Sequence, residues 1–343
     1  MNKPRVLIIS PALANANNGN WQTAWRWSRM LRAHFDTTIA QTWNGEPIDA
    51  MLALHARRSA GSIAAWAQAK GSNANAPGLA VVLTGTDLYR DIQTDPQAQA
   101  SLGFAQKLVV LQECGPDALP ATLRAKTRVI FQSISTRKTL QKSKQHLRAL
   151  MVGHLRDEKS PQTLFAAARL LMHSDILIDH IGEPLDAALG EQARATAAVC
   201  AHYRWLGGLP HEATRRRIQQ AHVLVHASSM EGGAHVVMEA VCSGTPVLAS
   251  RIAGNVGMLG ADYPGYFAHG DAKGLADLLL RCGNHHATPA LQARRTTLAR
   301  PLTGDARDPL YEQLQSHCEA RAHLFSPKTE QAALIKLVHD LVA

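Results

Sequence analysis

Short apolar runs alternate with amphipathic segments along most of the chain. The run RVLIIS near the N-terminus predicts a buried strand, and the segment NWQTAWRWSRMLRAH has apolar residues at helical spacing, which predicts a helix. Alternation of this kind is typical of βα units built around a parallel sheet. The first half of the chain contains five further predicted strands and a second predicted helix: DTTIAQT, AMLALHA, GLAVVLTG, KLVVLQ and RVIFQS, and SAGSIAAWAQAK.

A second series of the same kind follows the polar, basic stretch QKSKQHLRA, which we interpret as a linker. Its predicted strands are LRALMVGHL, DILIDHIG, YRWLG, HVLVHAS and PVLAS. Two consecutive series, each of roughly 150 residues, predict an α/β protein with two doubly wound, Rossmann-like domains facing a central cleft. We place the domains at 1–146 and 147–325, followed by a C-terminal helix at 326–343 that packs back on the first domain. Residues 284–310 form the least regular stretch and are interpreted as a loop insertion.

Composition narrows the function classes. The chain is 46% apolar and 18% charged, as in ordinary globular proteins, and it has no apolar run of membrane-span length and no apparent signal peptide. Five widely spaced cysteines without a C-x-x-C pair favour reduced thiols and a cytoplasmic location. The net charge of +9 is spread over short basic groups, which favours an anionic small-molecule substrate over nucleic acid. The 17 histidines form no H-E-x-x-H pattern, so neither a metal site nor a cofactor is expected.

The stretch SMEGGAHVVMEAVCSGTPVLAS places two glutamates around a pair of glycines, directly after the strand HVLVHAS. Ligands of open α/β sheets bind at such strand ends. Gly232 and Gly233 allow a phosphate or sugar to approach the backbone, and a helix starting near Ala234 favours an anion through its free N–H groups. Glu239 is suited to accept hydrogen bonds from a vicinal diol such as a ribose, and Glu231 is suited to face the group beyond the phosphates. Although two glutamates at this spacing are by themselves common on helix surfaces, the flanking strand and glycines favour a site for a nucleotide-linked sugar.

This stretch resembles the donor-site motif of the GT-B glycosyltransferases of the retaining E-x7-E type. The segment VGHLRDEKSP is similar to the G-R-L-x-x-x-K-G segment of that family, which implies that Arg156 and Lys159 neutralise the departing diphosphate. YRWLGGLPHEAT resembles the strand of that family whose backbone, here near Leu206 and Gly208, meets uracil. The resemblance implies the GT-B fold, a UDP-sugar as co-substrate, no metal-bound diphosphate, and catalytic roles for Arg156, Lys159 and Glu231.

The resemblance also has departures. Gly233 and Ala234, followed by His235, stand where the family has an aromatic residue and a glycine, and IAGNVGMLG replaces its G-G-x-x-E segment. Both changes concern the surroundings of the transferred sugar. NNGNWQTA stands in place of the family's glycine-rich loop. The expected donor-binding residues are Gly19, Asn20, His154, Leu206, Gly208, Gly232, Gly233, Ala234, His235 and Glu239.

Six segments together resemble the selenosugar synthases of selenoneine biosynthesis, a group within these transferases. They are PALANANNGNWQTAWRW, LHARRSAGS, LTGTDLYRDI, VGHLRDEKSP, MEGGAHVVMEAV and SRIAGNVGMLGADYPGYF. This resemblance implies UDP-N-acetylglucosamine as the donor and selenophosphate as the nucleophile. Composition and spacing alone indicate only a nucleotide-sugar transferase.

The expected acceptor-binding residues follow two predicted strands of the first domain. His55, Arg57 and Arg58 come after AMLAL, and Asp87 comes after GLAVVLTG. Arginine holds phosphate oxygens with two hydrogen bonds, which suits a phosphate-bearing acceptor. The alternative is that these residues form a solvated helix start. A conventional O-glycosyltransferase with a hydroxyl acceptor, which requires a base in the first domain, remains the second functional hypothesis, and a nucleic-acid-binding protein is the third.

Overall fold

The computed structural model describes residues 3–13, 19–286 and 308–343. The chain folds into two compact units. Unit 1 comprises Met1–Ser133, Met230–Gly233 and Leu324–Ala343, and unit 2 comprises Ile134–Ser229 and Ala234–His323. Unit 2 begins at Ile134, before the boundary that the sequence placed at 146, because Thr139 and Lys138 form hydrogen bonds with Ser243 and Gln219 of unit 2. The predicted loop insertion at 284–310 lies largely outside the described residues.

Unit 1 is built on a six-stranded parallel sheet in the order β2-β1-β3-β4-β5-β6. Its strands are β1 (Arg5–Ile9), β2 (Asp36–Ala40), β3 (Ala50–Leu54), β4 (Ala76–Val82), β5 (Ala105–Val110) and β6 (Thr127–Val129). Its helices are α1 (Gly19–Leu31), α2 (Ala60–Ala69), α3 (Ile92–Thr94), α4 (Pro96–Phe104), α5 (Ala121–Arg124) and α13 (Pro327–Val342), with a π-helical turn at Asp87–Asp91 and a 3₁₀ turn at Pro116–Ala118.

Both faces of the unit 1 sheet are covered, which explains why its central strands are apolar throughout. Every residue of β3 is buried, and alternate residues of β1 and β3 contribute to two separate apolar clusters. Trp66 of α2 packs in one cluster, and Trp27 of α1 packs in the other with the last helix, α13. Continuous apolar runs are the expected pattern for parallel strands buried on both faces.

Unit 2 repeats the architecture with a parallel sheet in the order β9-β8-β7-β10-β11-β12. Its strands are β7 (Leu147–Val152), β8 (Ile176–Ile181), β9 (Tyr203–Trp205), β10 (Val223–His226), β11 (Val247–Ser250) and β12 (Tyr266–Phe267). Its helices are α6 (Pro161–Leu170), α7 (Ala187–Val199), α8 (His211–Gln220), α9 (His235–Val241), α10 (Ala253–Leu259), α11 (Ala272–His286) and α12 (Leu310–Arg321), with a 3₁₀ turn at Asp157–Lys159.

The strand order of unit 2 locates its ligand crevice. Numbered from its own first strand, the order is 3-2-1-4-5-6, the arrangement of dinucleotide-binding folds. The order reverses between β7 and β10, and ligands bind beyond the carboxyl ends of the strands at such a point. In unit 1 the corresponding reversal lies between β1 and β3. The prediction of two doubly wound α/β domains is confirmed by this topology.

Among the described residues, no helix combines the length and the apolar composition that crossing a membrane requires.

Candidate active site

The loop that follows β7 and the loop that follows β10 meet at the reversal point of the unit 2 sheet. The N–H of Ser229 donates to the carbonyl of Glu158 at 2.9 Å. The 3₁₀ turn containing Glu158 begins after Arg156, whose half-exposed guanidinium lies 4.0 Å from the Glu158 carboxylate. Lys159 ends the turn, and its alkyl chain runs along Gly153. Arg156 and Lys159, the two cations expected at the diphosphate, therefore follow the carboxyl end of β7, where an anionic ligand is expected.

The loops after β8 and β9 continue this edge. Nδ1 of His154 accepts from the N–H of Glu183 at 3.1 Å, which holds the imidazole against the β8 loop. The Glu183 side chain covers Gly208, where a Cβ atom would overlap its carboxylate. Leu206 donates its N–H to the carbonyl of His180 at 2.8 Å, so the chain continues the sheet pairing beyond β9. His154, Leu206 and Gly208 thus lie on neighbouring loops, and Glu183 is an acidic neighbour that was not predicted from the sequence.

Gly182 packs backbone against backbone between these loops. A Cβ atom at this position would overlap the carbonyl of Gly153 and lie 2.9 Å from Cα of His154. Gly182 also donates its N–H to Gly207 O at 2.8 Å and accepts from Trp205 Nε1 at 3.0 Å. The loops cannot separate without losing these bonds.

Gly182→Ala is therefore expected to destabilise the protein by about 1–3 kcal/mol, since overpacking displaces backbone. It is also expected to weaken nucleotide binding, because the displaced loop carries His154 and leads into Lys159. Gly61→Ala is the matched control: Gly61 lies in α2, and no neighbouring atom lies within 4 Å of the position that a Cβ atom would take there. Thermal unfolding and UDP calorimetry on both variants check the prediction. Equal stability and affinity of the two variants would contradict it.

Glu239 lies in the second turn of α9 and is 6% exposed. Its Oε1 accepts from Nε2 of His211 at 2.8 Å and lies 3.6 Å from NH1 of Arg215. Both partners lie on α8, four residues apart, and therefore on one face of that helix. Burial lowers the pKa of the Arg215 guanidinium, and the charge of Glu239 partly offsets this. The glutamate expected at the ribose is therefore held by two basic side chains that were not among the predicted site residues.

The start of α9 is partly occupied by protein contacts. Ala234 is the N-cap residue, and its N–H donates to Sδ of Met258 at 3.2 Å. His235 is the first residue of the helix, which has only 7 residues. We therefore expect the free N–H groups of α9 to contribute little to anion binding, and Arg156 and Lys159 in the loop after β7 to contribute more.

The short segment Met230–Gly233 belongs to unit 1 and contains Glu231. A Cβ atom on Gly85, after β4, would lie 2.9 Å from the Gly232 nitrogen, and a Cβ atom on Gly232 would overlap the Gly85 backbone. A Cβ atom on Gly233 would lie 3.0 Å from Cβ of Leu111, after β5. The close approach that requires glycine at 232 is thus to protein backbone, whereas the sequence suggested a ligand.

A buried histidine follows β3 at the reversal point of the unit 1 sheet. His55 is 2% exposed and has a φ of 74°, an unusual conformation for a residue with a side chain. Nδ1 of His55 lies 3.2 Å from Oδ1 of Asp87, and its Nε2 lies 3.8 Å from Oδ2 of Asp91. The other oxygen of Asp87 accepts from the N–H of Ala56 at 2.8 Å. The π-helical turn Asp87–Asp91 therefore directs both carboxylates toward the imidazole.

The arginines that follow His55 have different surroundings. Nε of Arg57 lies 3.1 Å from the Asp95 carboxylate and NH1 lies 3.7 Å from Asp91. The Arg58 side chain is exposed. Asp87 is fully buried against His55, so any effect of this carboxylate on an acceptor passes through the imidazole.

Within the described residues, His55, Asp87 and Asp91 are the one group whose ligand atoms could hold a metal ion, because these atoms lie within 4.8 Å of one another. Arg57 and Arg90 also contact Asp91, so cationic side chains already neutralise part of the group. No metal site was expected from the sequence, and the clustering of these three residues was not predicted.

Gly19 and Asn20 begin α1 in unit 1. Oγ of Thr23 donates to the carbonyl of Gly19 at 2.8 Å, and no atom lies within 4 Å of a Cβ position on Gly19. The residues directly before this helix, 14–18, lie outside the described residues.

The predicted site residues are divided between the two units. Unit 2 carries Arg156, Lys159, His154, Leu206, Gly208, Ala234, His235 and Glu239, and unit 1 carries Gly19, Asn20, His55, Arg57, Arg58, Asp87, Glu231, Gly232 and Gly233.

Comparison with known proteins gives a family match for part of the chain. Residues 132–286 match the model of the family Glycosyl transferases group 1. No curated protein sequence matches the chain. The matched residues include all the predicted site residues of unit 2.

Solved structures share the fold. A sucrose-phosphate synthase from Thermosynechococcus elongatus is 16% identical, with 99% of each chain covered and a TM-score of 0.67. A glycosyltransferase from Rickettsia africae is 12% identical, with 100% of this chain and 99% of that chain covered and a TM-score of 0.67. A TarM variant from S. aureus, solved with fondaparinux, α-GlcNAc-glycerol and UDP, is 13% identical, with 84% of this chain covered and a TM-score of 0.59. The chain spans only 56% of TarM. These identities are all below 25%, so the solved structures show a shared GT-B fold, and the family match concerns residues 132–286.

Proposed function

We propose that this chain, a GT-B protein with a group 1 glycosyltransferase segment at 132–286, transfers N-acetylglucosamine from its UDP-sugar to selenophosphate. Selenium attacks the anomeric carbon, the anomeric C–O bond breaks, and its electron pair leaves with UDP as the C–Se bond forms. The donor part of this proposal rests on the residues near the point between β7 and β10 where the strand order of the unit 2 sheet reverses. There, the turn with Arg156 and Lys159 is hydrogen-bonded to the loop after β10, and this loop leads into α9, which carries the buried carboxylate of Glu239.

The donor half has a direct physical basis. Cleavage of the sugar–phosphate bond places growing negative charge on the diphosphate, and cations placed where that charge develops lower the barrier. Arg156 and Lys159 provide such cations at the carboxyl end of β7. Glu239 offers a carboxylate to the ribose diol. UDP is bound in the TarM structure, which has the same fold, and this supports uridine diphosphate as the nucleotide.

The selenium half rests on the resemblance of the six segments to selenosugar synthases and on the chemistry of unit 1. Selenophosphate is already an anion, so its selenium attacks without a strong base, and it requires cations to hold it. Arg57 and Arg58 provide two guanidinium groups after β3, although Arg57 is shared with Asp91 and Asp95. Arg58, with its exposed side chain, is the better candidate for the direct contact.

A conventional O-glycosyltransferase is the second candidate, and the His55–Asp87 pair favours it. A histidine oriented by a buried carboxylate is a usual general base for a hydroxyl acceptor. However, Nδ1 of His55 accepts from the N–H of Arg58 at 3.4 Å, Nε2 lies 3.8 Å from the Asp91 carboxylate, and the side chain is only 3% exposed. An acceptor hydroxyl would reach Nε2 only if Asp91 moved, which favours the anionic acceptor.

Release of UDP distinguishes the two candidates. With UDP-N-acetylglucosamine, we expect UDP release to require selenophosphate and to produce a selenium-containing sugar detectable by mass spectrometry. Thiophosphate is expected to compete for the same site, because it presents the same phosphate oxygens. Glycerol and monosaccharides serve as hydroxyl-acceptor controls. The Glu239→Ala variant measures the UDP release that does not depend on the proposed donor site. UDP release that depends on a hydroxyl acceptor instead would contradict the selenium assignment while leaving the glycosyltransferase assignment intact.

A further inference from the structure

Arg215 is a buried arginine directly beneath the candidate ribose site. It is 1% exposed and lies in the middle of α8. NH1 lies 3.6 Å from Oε1 of Glu239, and NH2 donates to the carbonyl of Ser135 at 3.1 Å. Its Nε has no hydrogen-bond partner among the described residues. Fully buried arginines are rare, because the desolvation penalty of the charge exceeds the electrostatic attraction unless the charge is well paired. Arg215 therefore requires an explanation beyond packing.

The second partner of Glu239 is a histidine on the same face of α8. His211 lies one turn earlier on α8, has a side chain that is 65% exposed, and contacts Oε1 through Nε2 at 2.8 Å. Both basic groups therefore act on the same carboxylate oxygen. In the part of the chain that the structure describes, no hydrogen bond or ion pair reaches Oε2 of Glu239. One oxygen is anchored by the protein and the other remains available to a ligand.

We propose that Arg215 is a positioning residue that orients the Glu239 carboxylate toward the ribose diol and thereby makes the site selective for nucleotides with a 2′-hydroxyl. The inference rests on the proposed UDP-sugar function. A carboxylate without an anchor samples several rotamers, and ordering it on binding reduces affinity. A guanidinium held beneath Oε1 by the carbonyl of Ser135 sets the orientation before the nucleotide arrives. His211 provides a second anchor from the solvent side.

Selectivity between UDP and 2′-deoxy-UDP tests this role, because a merely structural residue would affect both nucleotides equally. The variants are Arg215→Met and Arg215→Lys, with Arg216→Met as the matched control, since Arg216 is the next residue of α8 and is exposed. Affinities are measured by calorimetry, and folding is checked by circular dichroism. Wild type and Arg216→Met are expected to prefer UDP by about tenfold or more, as loss of a hydrogen bond to a charged group predicts.

Arg215→Met is expected to bring this preference close to one, and Arg215→Lys to retain part of it. In Glu239→Gln, adding Arg215→Met is expected to change the preference little, because the two residues act through one contact. The inference is overturned if Arg215→Met keeps the wild-type preference, whether or not its overall affinity falls. If Arg215→Met does not fold, a full wild-type preference in Arg215→Lys together with additive effects in Arg215→Lys/Glu239→Gln overturns it equally. Wild type that fails to bind UDP overturns the proposed function, and the inference with it.

Discussion

Glu239→Ala is expected to weaken UDP binding by about 10- to 150-fold, which corresponds to about 1.5–3 kcal/mol for hydrogen bonds to a charged group. The carboxylate is 6% exposed, and one of its oxygens is held by His211 and Arg215. The ribose diol is present in UDP and in the UDP-sugar alike, so the loss is expected in both ground-state complexes. Calorimetric titration of UDP into the variant measures it directly.

Two further variants separate the diol contact from a loss of local structure. Glu239→Gln keeps the shape of the side chain and one carbonyl oxygen, and we expect it to fall between wild type and Glu239→Ala. Glu191→Ala is the matched control, because Glu191 lies on α7 and forms an exposed ion pair with Arg194 at 2.6 Å. Unchanged UDP affinity in folded Glu239→Ala would remove Glu239 from the ribose.

The strands of both sheets could be predicted from the sequence because each one is visible as an apolar run of neighbouring residues. Parallel strands buried on both faces are apolar without interruption, and every predicted strand of the two series corresponds to a strand of the structure. Helices α4 and α7 are among those that were not predicted. Alanine and other small residues cover most of α7, so its buried and exposed faces differ little in hydrophobicity. The strand β12 was also missed, because its two residues are too few to show a period.

The candidate site was only partly predictable, since burial of charge depends on residues distant in sequence. Arg215 belongs to the basic run TRRRIQQ, whose composition predicts a solvated helix end, yet it is 1% exposed. Nothing within α8 indicates this, because its acidic partner Glu239 belongs to another helix. The pairing of Gly232 with Gly85 is similarly nonlocal: the sequence showed that a glycine was needed but not what approaches it.

Glu330→Ala is expected to destabilise unit 1 by about 3–5 kcal/mol, the usual cost of removing one partner of a buried ionic group. Glu330 of α13 is 1% exposed. Its carboxylate accepts from Nε1 of Trp27 at 2.7 Å, from the N–H and Oγ of Ser133 at 2.9 and 2.6 Å, and from Arg26 at 3.1 Å. Alanine would leave these donors without an acceptor. The last helix would thereby lose its polar contacts with α1 and with Ser133, where the first segment of unit 1 ends.

Tryptophan fluorescence during urea unfolding is a suitable measurement, since five of the six tryptophans (21, 25, 27, 43 and 66) lie in unit 1. We expect the unfolding midpoint of Glu330→Ala to fall well below that of wild type. Glu330→Gln should fall less, because it keeps one acceptor oxygen, although its neutral amide pairs poorly with Arg26. Asp340→Ala, on the same helix and outside this cluster, is expected to unfold like wild type. If Glu330→Ala and Asp340→Ala unfold at the same urea concentration, the carboxylate does not hold α13 in place. The apolar contacts of Leu334, Leu337 and Val338 would then account for its docking.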